Sequence, residues 1–328
     1  MQEMTRRIDI SSKTVIFVTA FGILLWILFH ILDIILLFFV AFILMSTLSP
    51  LVERLRKLGL PKILSVLLVF FLVMGGFIGL LTAGLTPLIS QTSNLMQRLA
   101  ETVNSLLQTN IIDHTVIQQE ASRLSAQAVS FTVDLFKNLI SWVSVLVVTI
   151  YMLLDREKME DYVTSFFGKR QERVRKLLRK IEDKLGDWLR GQVVLSAAVG
   201  ILVYLGLILL GVEFALPLAI IAALLEVVPV IGPIISAIPA ILIGLTVSPL
   251  FAALIGGLYL AVQQIESHVI VPQFMKRAVG LNPLLIILAV SVGGRLLGIA
   301  GALLAVPISV VIQLIIQEGL NIRADGEI

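Results

Sequence analysis

Cysteine is absent from the 328 residues of this chain. Its absence excludes disulfides, thiolate metal sites and cysteine nucleophiles. Histidine is scarce, and the three copies at His30, His114 and His268 lack the spacing of metal ligands. The chain also lacks the motifs of zinc proteases, serine hydrolases and P-loop ATPases. We therefore expect no enzyme, no bound metal and no cofactor.

Charge is low as well. Only 14% of the residues are charged, against about 25% in a typical soluble domain. The formal net charge of +3 is small, and no block of like charge indicates a nucleic-acid partner. A single soluble domain is therefore unlikely to account for this chain.

Apolar residues are abundant instead, at 58% of the chain. Several apolar runs approach or exceed the roughly 20 residues that cross a bilayer as a helix. The first run is far longer than the core of a signal peptide. We predict an all-α, polytopic membrane protein with about eight hydrophobic segments, some of them interrupted or re-entrant, and one extramembrane helical hairpin.

The N-terminal part, residues 1–89, is predicted to hold spans one to three. We place the first two at about Val15–Phe29 and Ile34–Leu48, joined by the sequence HILD at the membrane interface. His30 and Asp33 fit an interfacial turn with a local pair, although proton handling by Asp33 is an alternative. The basic segment SPLVERLRKLGLPK then predicts a cytoplasmic loop and a cytoplasmic N-terminus by the positive-inside rule.

The middle of the chain alternates between polar and apolar segments. Polar residues 90–138 are patterned as an extracytoplasmic helical hairpin, and residues 139–155 form the predicted fourth span. Residues 156–190 are dense in Lys and Arg with one apolar stripe, which predicts a cytoplasmic amphipathic basic helix. That helix could lie on the membrane surface or be a solvated helix that packs on its own protein, and the two interpretations are compatible. Residues 191–318 form the predicted transport core, and residues 319–328 a cytoplasmic tail.

The transport core contains two interrupted apolar segments. In the first, EVVPVIGPIISAIP, Pro229 and Pro233 remove backbone donors, and Gly232 allows a tight turn. Broken backbone at membrane depth must be buried in protein or line a wet cavity. We predict a re-entrant helix–break–helix over Phe214–Leu245. The second segment is interrupted by GGRLLGIAG, and two such breaks point to the substrate site of a transporter. Tightly packed kinked helices are the alternative.

The side chains available for solute or ion contact are few. Glu226 is the strongest candidate, because desolvation favours an uncharged carboxyl that takes up protons or cations. It could instead be a structural carboxylate that caps a helix or pairs with Arg295. Glu266 and His268 stand at the inner end of the seventh apolar stretch, with Gln263 and Gln264 one turn earlier. These residues could line an inner vestibule or act as interfacial anchors. The predicted solute path comprises Glu226, Pro229, Gly232, Pro233, Gln264, Glu266, Arg295 and Gly298, and the predicted proton or cation handling groups are Glu226, Glu266, His268 and Asp33.

Several long stretches resemble the autoinducer-2 exporter family of bacterial permeases. They are SPLVERLRKLGLP, YMLLDREKM, the stretch from WLRGQVVLSAAVG to VIGPIISAIPA, and the stretch from QQIESHVIVPQFMKRAVGLNP to GIAGALLAVP. The resemblance implies a multi-pass protein of the bacterial inner membrane and a homo-oligomer. It implies export of autoinducer-2, or exchange of sodium or lithium for protons. Further positions matching the family pattern, which we expect to be structural, are Gly191, Gln192, Pro239, Pro272, Gly280, Pro283 and Pro307.

Three functions follow from these observations. The leading hypothesis is secondary or facilitated export of a small polar solute of the autoinducer-2 kind through the broken helices. The second is a sodium (or lithium)/proton antiporter that uses Glu226. The third is a membrane scaffold that transports nothing and binds partners through residues 90–138 and 156–190.

Overall fold

The computed structural model describes residues 12–80, 82–83, 139–228, 231–271 and 283–325. Within these ranges the chain is helical and contains no strand, which confirms the all-α prediction. The predicted hairpin at 90–138 lies outside the described residues. The helices are α1 (Ser12–His30), α2 (Leu32–Lys57), α3 (Lys62–Leu80), α4 (Leu139–Ser165), α5 (Gln171–Leu209), α6 (Ala215–Leu225), α7 (Ile231–Leu245), α8 (Pro249–Ile265) and α9 (Pro283–Asp325).

Five stretches among the described helices are long and apolar enough to cross a membrane by length and composition. They are Leu32–Lys57, Lys62–Leu80, Gly168–Leu209, Pro249–Ile270 and Leu284–Glu318. The predicted fourth span lies in α4, which is not among these five. Helices α6 and α7 are apolar but shorter. The protein is therefore a polytopic helical membrane protein, as its composition predicts.

The first apolar run differs from our expectation of two spans joined by a turn at HILD. Only Ile31 separates α1 from α2, and backbone bonding continues through it: Ile31 N–H donates to the Ile27 carbonyl and Ile35 N–H to the Ile31 carbonyl, both at 3.0 Å. Ile31, with φ −103° and ψ 11°, interrupts the helix at HILD, where we expected a break. The break is a single distorted residue rather than an open turn, because HILD contains neither glycine nor proline. His30 stays within its own turn, with Nδ1 2.9 Å from the Trp26 carbonyl.

Helix α5 merges two elements that the sequence pattern separates. It runs for 39 residues from Gln171 to Leu209 and joins the basic amphipathic stretch to the next apolar span. Residues 156–165 instead belong to α4, beyond a kink at Asp155. Leu185 and Trp188 of the amphipathic stripe are buried against Ile43 of α2. The stripe therefore packs on the protein, as one of the two interpretations predicts.

Three apolar cores hold the helices together. One lies between α2, α3 and α4 and includes Met45, Val66 and Met152. A second joins α2, α5 and α9, and a third packs α5 to α8 around Leu207 and Ile255. Large apolar side chains elsewhere remain exposed, as the outer surface of a lipid-embedded protein requires.

A proline determines how α2 crosses α5. Pro50 has no N–H, so the Ser46 carbonyl one turn earlier loses its helical partner. The Arg190 guanidinium donates to the carbonyls of Ser46 at 3.2 Å and Thr47 at 3.1 Å. A Cβ at Gly186 would lie 2.6 Å from the Ser46 oxygen, so glycine is needed for this approach.

An ion cluster joins the same ends of α2, α4 and α5. Arg156 contacts Glu182 at 2.6 Å and Glu53 at 3.1 Å, and it donates to Ser49 Oγ at 2.8 Å. Partial burial would lower the pKa of Arg156, but the hydrogen bond to Glu182 and the nearby carboxylates raise it above its ordinary value. The cluster therefore keeps its positive centre at any physiological pH.

Candidate functional site

The predicted helix–break–helix over Phe214–Leu245 is confirmed. Helix α6 ends at Leu225, a turn follows at Glu226, and α7 begins at Ile231. Pro233 lies in the first turn of α7, where a missing N–H costs no helical bond. Pro229 lies outside the described residues.

Gly232 allows the two short helices to approach closely at this break. A Cβ at this position would overlap the Leu225 carbonyl oxygen at the end of α6. The first turn of α7 therefore packs directly on the last turn of α6, and only glycine fits between them. The two helices together form a helical hairpin.

The second predicted interruption, in the last apolar segment, is also confirmed. Gly298 has φ 61° and ψ −142°, a backbone region that essentially only glycine occupies. Across it, a Cβ at Gly293 would overlap the Gly301 carbonyl, and a Cβ at Gly301 would overlap the Gly293 carbonyl. Residues eight positions apart in one straight helix could not meet. The apolar stretch of α9 therefore consists of two arms, 283–297 and 299–325, that fold back on each other.

Glu226 lies at the first break and is completely buried. Its backbone carbonyl, at the frayed end of α6, accepts a 2.8 Å hydrogen bond from Gln192 Nε2 of α5. Neither of its carboxyl oxygens has a hydrogen-bond partner among the described residues. The predicted pairing with Arg295 is not observed, and Arg295 is exposed.

Glu266 lies near Glu226 and stands at a local irregularity that follows α8. Residues Glu266–Ile270 continue α8 as a π-helix, in which the Val271 N–H donates to the Glu266 carbonyl. Such wide turns often occur at functional sites. The buried Glu266 carboxyl accepts a 2.9 Å bond from Gln263 Nε2 and lies close enough to the Glu226 carboxyl for the two to interact.

Helix α5 adds two more buried acceptors beside Glu226. Gln192 Oε1 and Ser196 Oγ are buried without a partner in the described part of the chain. Ser196 follows Gln192 by one turn, and a Cβ at Gly200, one turn further, would lie 2.8 Å from the Ala223 Cβ of α6. The three therefore share the face of α5 that meets α6. We call Gln192, Ser196, Glu226 and Glu266 the acceptor cluster.

The acceptor cluster contains more hydrogen-bond acceptors than donors, since only the Ser196 hydroxyl and the Gln192 amide nitrogen can donate when the carboxyls are ionised. Leaving a buried polar atom without a partner costs about 1–3 kcal/mol. Four such oxygens in one apolar interior are expensive unless something binds them, and oxygen acceptors bind protons, cations or the hydroxyl groups of a solute. A fifth unpartnered buried oxygen, Tyr259 Oη, lies two helical turns before Glu266 on α8.

The predicted site residues divide into two groups in space. Glu226 and Glu266 come together, with Gly232 and Pro233 beside them at the break. Gln264, His268, Arg295, Gly298 and Asp33 are exposed, and His268 Nδ1 lies 3.0 Å from the Gln264 carbonyl. Their proposed transport roles stay predictions, but these residues are not part of the acceptor cluster.

We predicted only a structural role for Gln192 and no role for Ser196 or Tyr259. The sequence signal for Ser196 is its i, i+4 spacing from Gln192 in the apolar half of α5. Of the other family positions, Gly191 has room for a Cβ, which would meet no atom within 4 Å. Pro239 lies inside α7, Pro283 begins α9 and Pro307 is buried in it. Pro272 and Gly280 lie outside the described residues.

With this geometry in view, the comparison with known proteins is informative. A family model described as "AI-2E family transporter" matches residues 15–321, nearly the whole chain. The chain belongs to the AI-2E family. This agrees with the resemblance of its core and C-terminal motifs, and it makes the chain a member of a family of multi-pass membrane transporters.

Several named relatives of this AI-2E protein are similar over most of their length. "Putative transport protein YrrI" of Bacillus subtilis is 29% identical over 85% of this chain and 84% of its own. "Putative transport protein MT0215" of Mycobacterium tuberculosis is 30% identical over 90% and 85%. "AI-2 transport protein TqsA" of Escherichia coli is 26% identical over 87% and 86%.

Proposed function

We propose that this AI-2E protein is a secondary or facilitated transporter that exports a small polar solute of the autoinducer-2 kind. It would act in the bacterial inner membrane as a homo-oligomer with a cytoplasmic N-terminus. The observation that carries the proposal is the break between α6 and α7, where the Glu226 carboxyl is buried and its two oxygens have no partner among the described residues.

The chemistry of the acceptor cluster supports a polar, hydroxyl-bearing solute. Hydroxyl groups donate hydrogen bonds, and Gln192 Oε1, Ser196 Oγ and the Glu226 carboxyl supply acceptors at neighbouring positions. A solute that pairs these atoms removes their desolvation penalty, which supplies affinity. The second hairpin at Gly298 supports a fold with two re-entrant elements, the arrangement that transporters use around a binding site.

A flux measurement in proteoliposomes tests this function. We expect autoinducer-2 flux that falls about tenfold in Ser196→Ala, because one hydrogen bond contributes about 1 kcal/mol or slightly more. Gln192→Leu should reduce flux further, and Gln317→Leu, the same substitution at an exposed position of α9, should leave it unchanged. Flux that is unaffected by both Gln192→Leu and Ser196→Ala would overturn the proposal.

A specific observation favours a second candidate, exchange of sodium or lithium for protons. Glu226 and Glu266 bring two buried carboxyls into interaction, and no cationic side chain in the described ranges is hydrogen-bonded to either. Such a pair suits competition between a proton and a small cation.

The two candidates respond differently to one variant. A sodium gradient that moves protons, abolished in Glu226→Gln and retained in Glu213→Gln, would identify the antiporter. Autoinducer-2 flux that is indifferent to sodium and to Glu226→Gln would identify the facilitator. Absence of both fluxes in the wild-type protein would contradict both candidates and favour the scaffold hypothesis.

A further inference from the structure

An open cleft of about 530 Å³ lies at the turn between α2 and α3, away from the acceptor cluster. It is lined by Glu53, Arg56, Lys57, Lys62 and the turn residues Gly59, Leu60 and Pro61. The transport proposal does not use this cleft. Its lining is dominated by cations, which indicates a ligand of negative charge.

The charges of the cleft are not balanced by the protein. Three cations face one carboxylate, a formal sum of +2, and that carboxylate, Glu53, is already held by Arg156 at 3.1 Å. Lys62 Nζ donates to the backbone carbonyl of Leu154, which leaves its charge uncompensated. Among the described residues neither Arg56 nor Lys57 has an ion pair.

The position of the cleft specifies its depth in the membrane. Only residues 58–61 separate α2 from α3, and both helices are long and apolar enough to cross a bilayer. A turn this short between two spans must lie at the level of the lipid headgroups. The side chains next to the cations are apolar and exposed, Leu58 at 79% and Ile63 at 64%.

We propose that this cleft is a binding site for an anionic phospholipid. The phosphate group is bound by Arg56 and Lys57, with the charge of Lys62 behind them, and the acyl chains lie against Leu58 and Ile63. An anionic lipid provides both halves of this arrangement, a negative headgroup and an apolar tail, whereas a free phosphate provides only the first. Basic residues at the membrane surface each contribute attraction to anionic lipid.

Lipid binding to the full chain tests the site. Native mass spectrometry would follow phosphatidylglycerol or phosphatidylcholine added to the purified protein, with glycerol 3-phosphate as a soluble headgroup. We expect the double variant Arg56→Gln/Lys57→Gln to lose about tenfold or more in phosphatidylglycerol affinity. The matched control is Lys169→Gln/Arg170→Gln, which removes two exposed cations from another interhelical turn and should keep wild-type affinity.

The remaining outcomes distinguish a specific lipid site from general electrostatic attraction of the protein to anionic lipid. Equal losses in the two double variants would overturn the proposal, because diffuse charge would then explain binding. If glycerol 3-phosphate bound as tightly as phosphatidylglycerol, the phosphate group alone would explain binding, and the proposal of a lipid ligand would be overturned. Leu58→Ser should weaken the lipid but not glycerol 3-phosphate. Thermal unfolding of each variant in neutral lipid confirms that it is folded, and none of these outcomes depends on whether the protein transports a solute.

Discussion

Gln192 and Gly232 stabilise the break between α6 and α7. Gln192 satisfies the Glu226 carbonyl that the end of α6 leaves free. Gly232 lets the first turn of α7 contact the last turn of α6. Gly232 acts on backbone alone, so its substitution should affect stability. Gln192 also offers its unpartnered Oε1 to the solute, so its substitution should affect both stability and flux.

We expect Gly232→Ala to destabilise the protein by roughly 1–3 kcal/mol, because the added methyl group must displace the α6 backbone. The measurement is thermal unfolding of the purified protein in detergent. Gly257→Ala is the matched control, since a Cβ at Gly257 in α8 meets no atom within 4 Å. An unchanged melting temperature for Gly232→Ala would show that the two helices do not touch as described.

At the scale of elements, the α2–α5 crossing joins the N-terminal helices to the C-terminal helices. The crossing depends on an exchange of hydrogen bonds between helices. Pro50 deprives the Ser46 carbonyl of its partner in α2, and Arg190 supplies one from α5. The two residues are far apart in sequence, yet the effect of each depends on the other.

A double-mutant cycle tests this dependence. Arg190→Met should destabilise the wild-type protein by about 1–3 kcal/mol, the cost of leaving buried carbonyls unpaired. In a Pro50→Ala background the restored N–H can satisfy Ser46, so the same substitution should cost less, with a coupling of about 1 kcal/mol. Strictly additive losses in unfolding free energy would contradict the exchange.

At the scale of the whole molecule, two of the turns between helices lie at the same end. Arg156 joins Glu53 at the end of α2 to Glu182 early in α5, so the α2–α3 turn and the α4–α5 turn lie at the same end. Helix α5 then runs 39 residues, about 58 Å, to Leu209. That length exceeds the roughly 30 Å of a bilayer's apolar core. Leu209 should therefore lie on the opposite side.

Because the chain has no cysteine, single-cysteine variants report this topology without further engineering. Leu58→Cys and Lys169→Cys should react with a membrane-impermeant maleimide only from the cytoplasmic side, as the basic turns predict. Leu209→Cys should react only from the other side. Labelling of Leu58→Cys and Lys169→Cys from opposite sides would contradict the arrangement of α2, α4 and α5.

The sequence alone determined the features that depend on neighbouring residues. Its composition required a membrane protein, and Pro233, Gly232 and Gly298 predicted both helix breaks because proline and glycine act on the backbone where they stand. Between the basic stretch and the fifth span no breaker stood, so the polarity pattern changed but the helix continued. At HILD, which also lacks a breaker, only Ile31 departs from helical geometry. The polarity of a stretch indicates what surrounds the helix, whereas the loss of backbone hydrogen bonds decides where the helix ends.

Tertiary structure alone decided which distant groups meet. Glu226 stood out from its sequence, but its neighbours did not: packing brought Glu266 and Gln192 to it and left Arg295 exposed. Likewise, the close contact of Gly293 with Gly301 follows from one backbone angle at Gly298. Contacts between helices depend on how their faces interlock. The packing energy of these contacts is shared among many side chains from separate parts of the chain. No single stretch of sequence contains it.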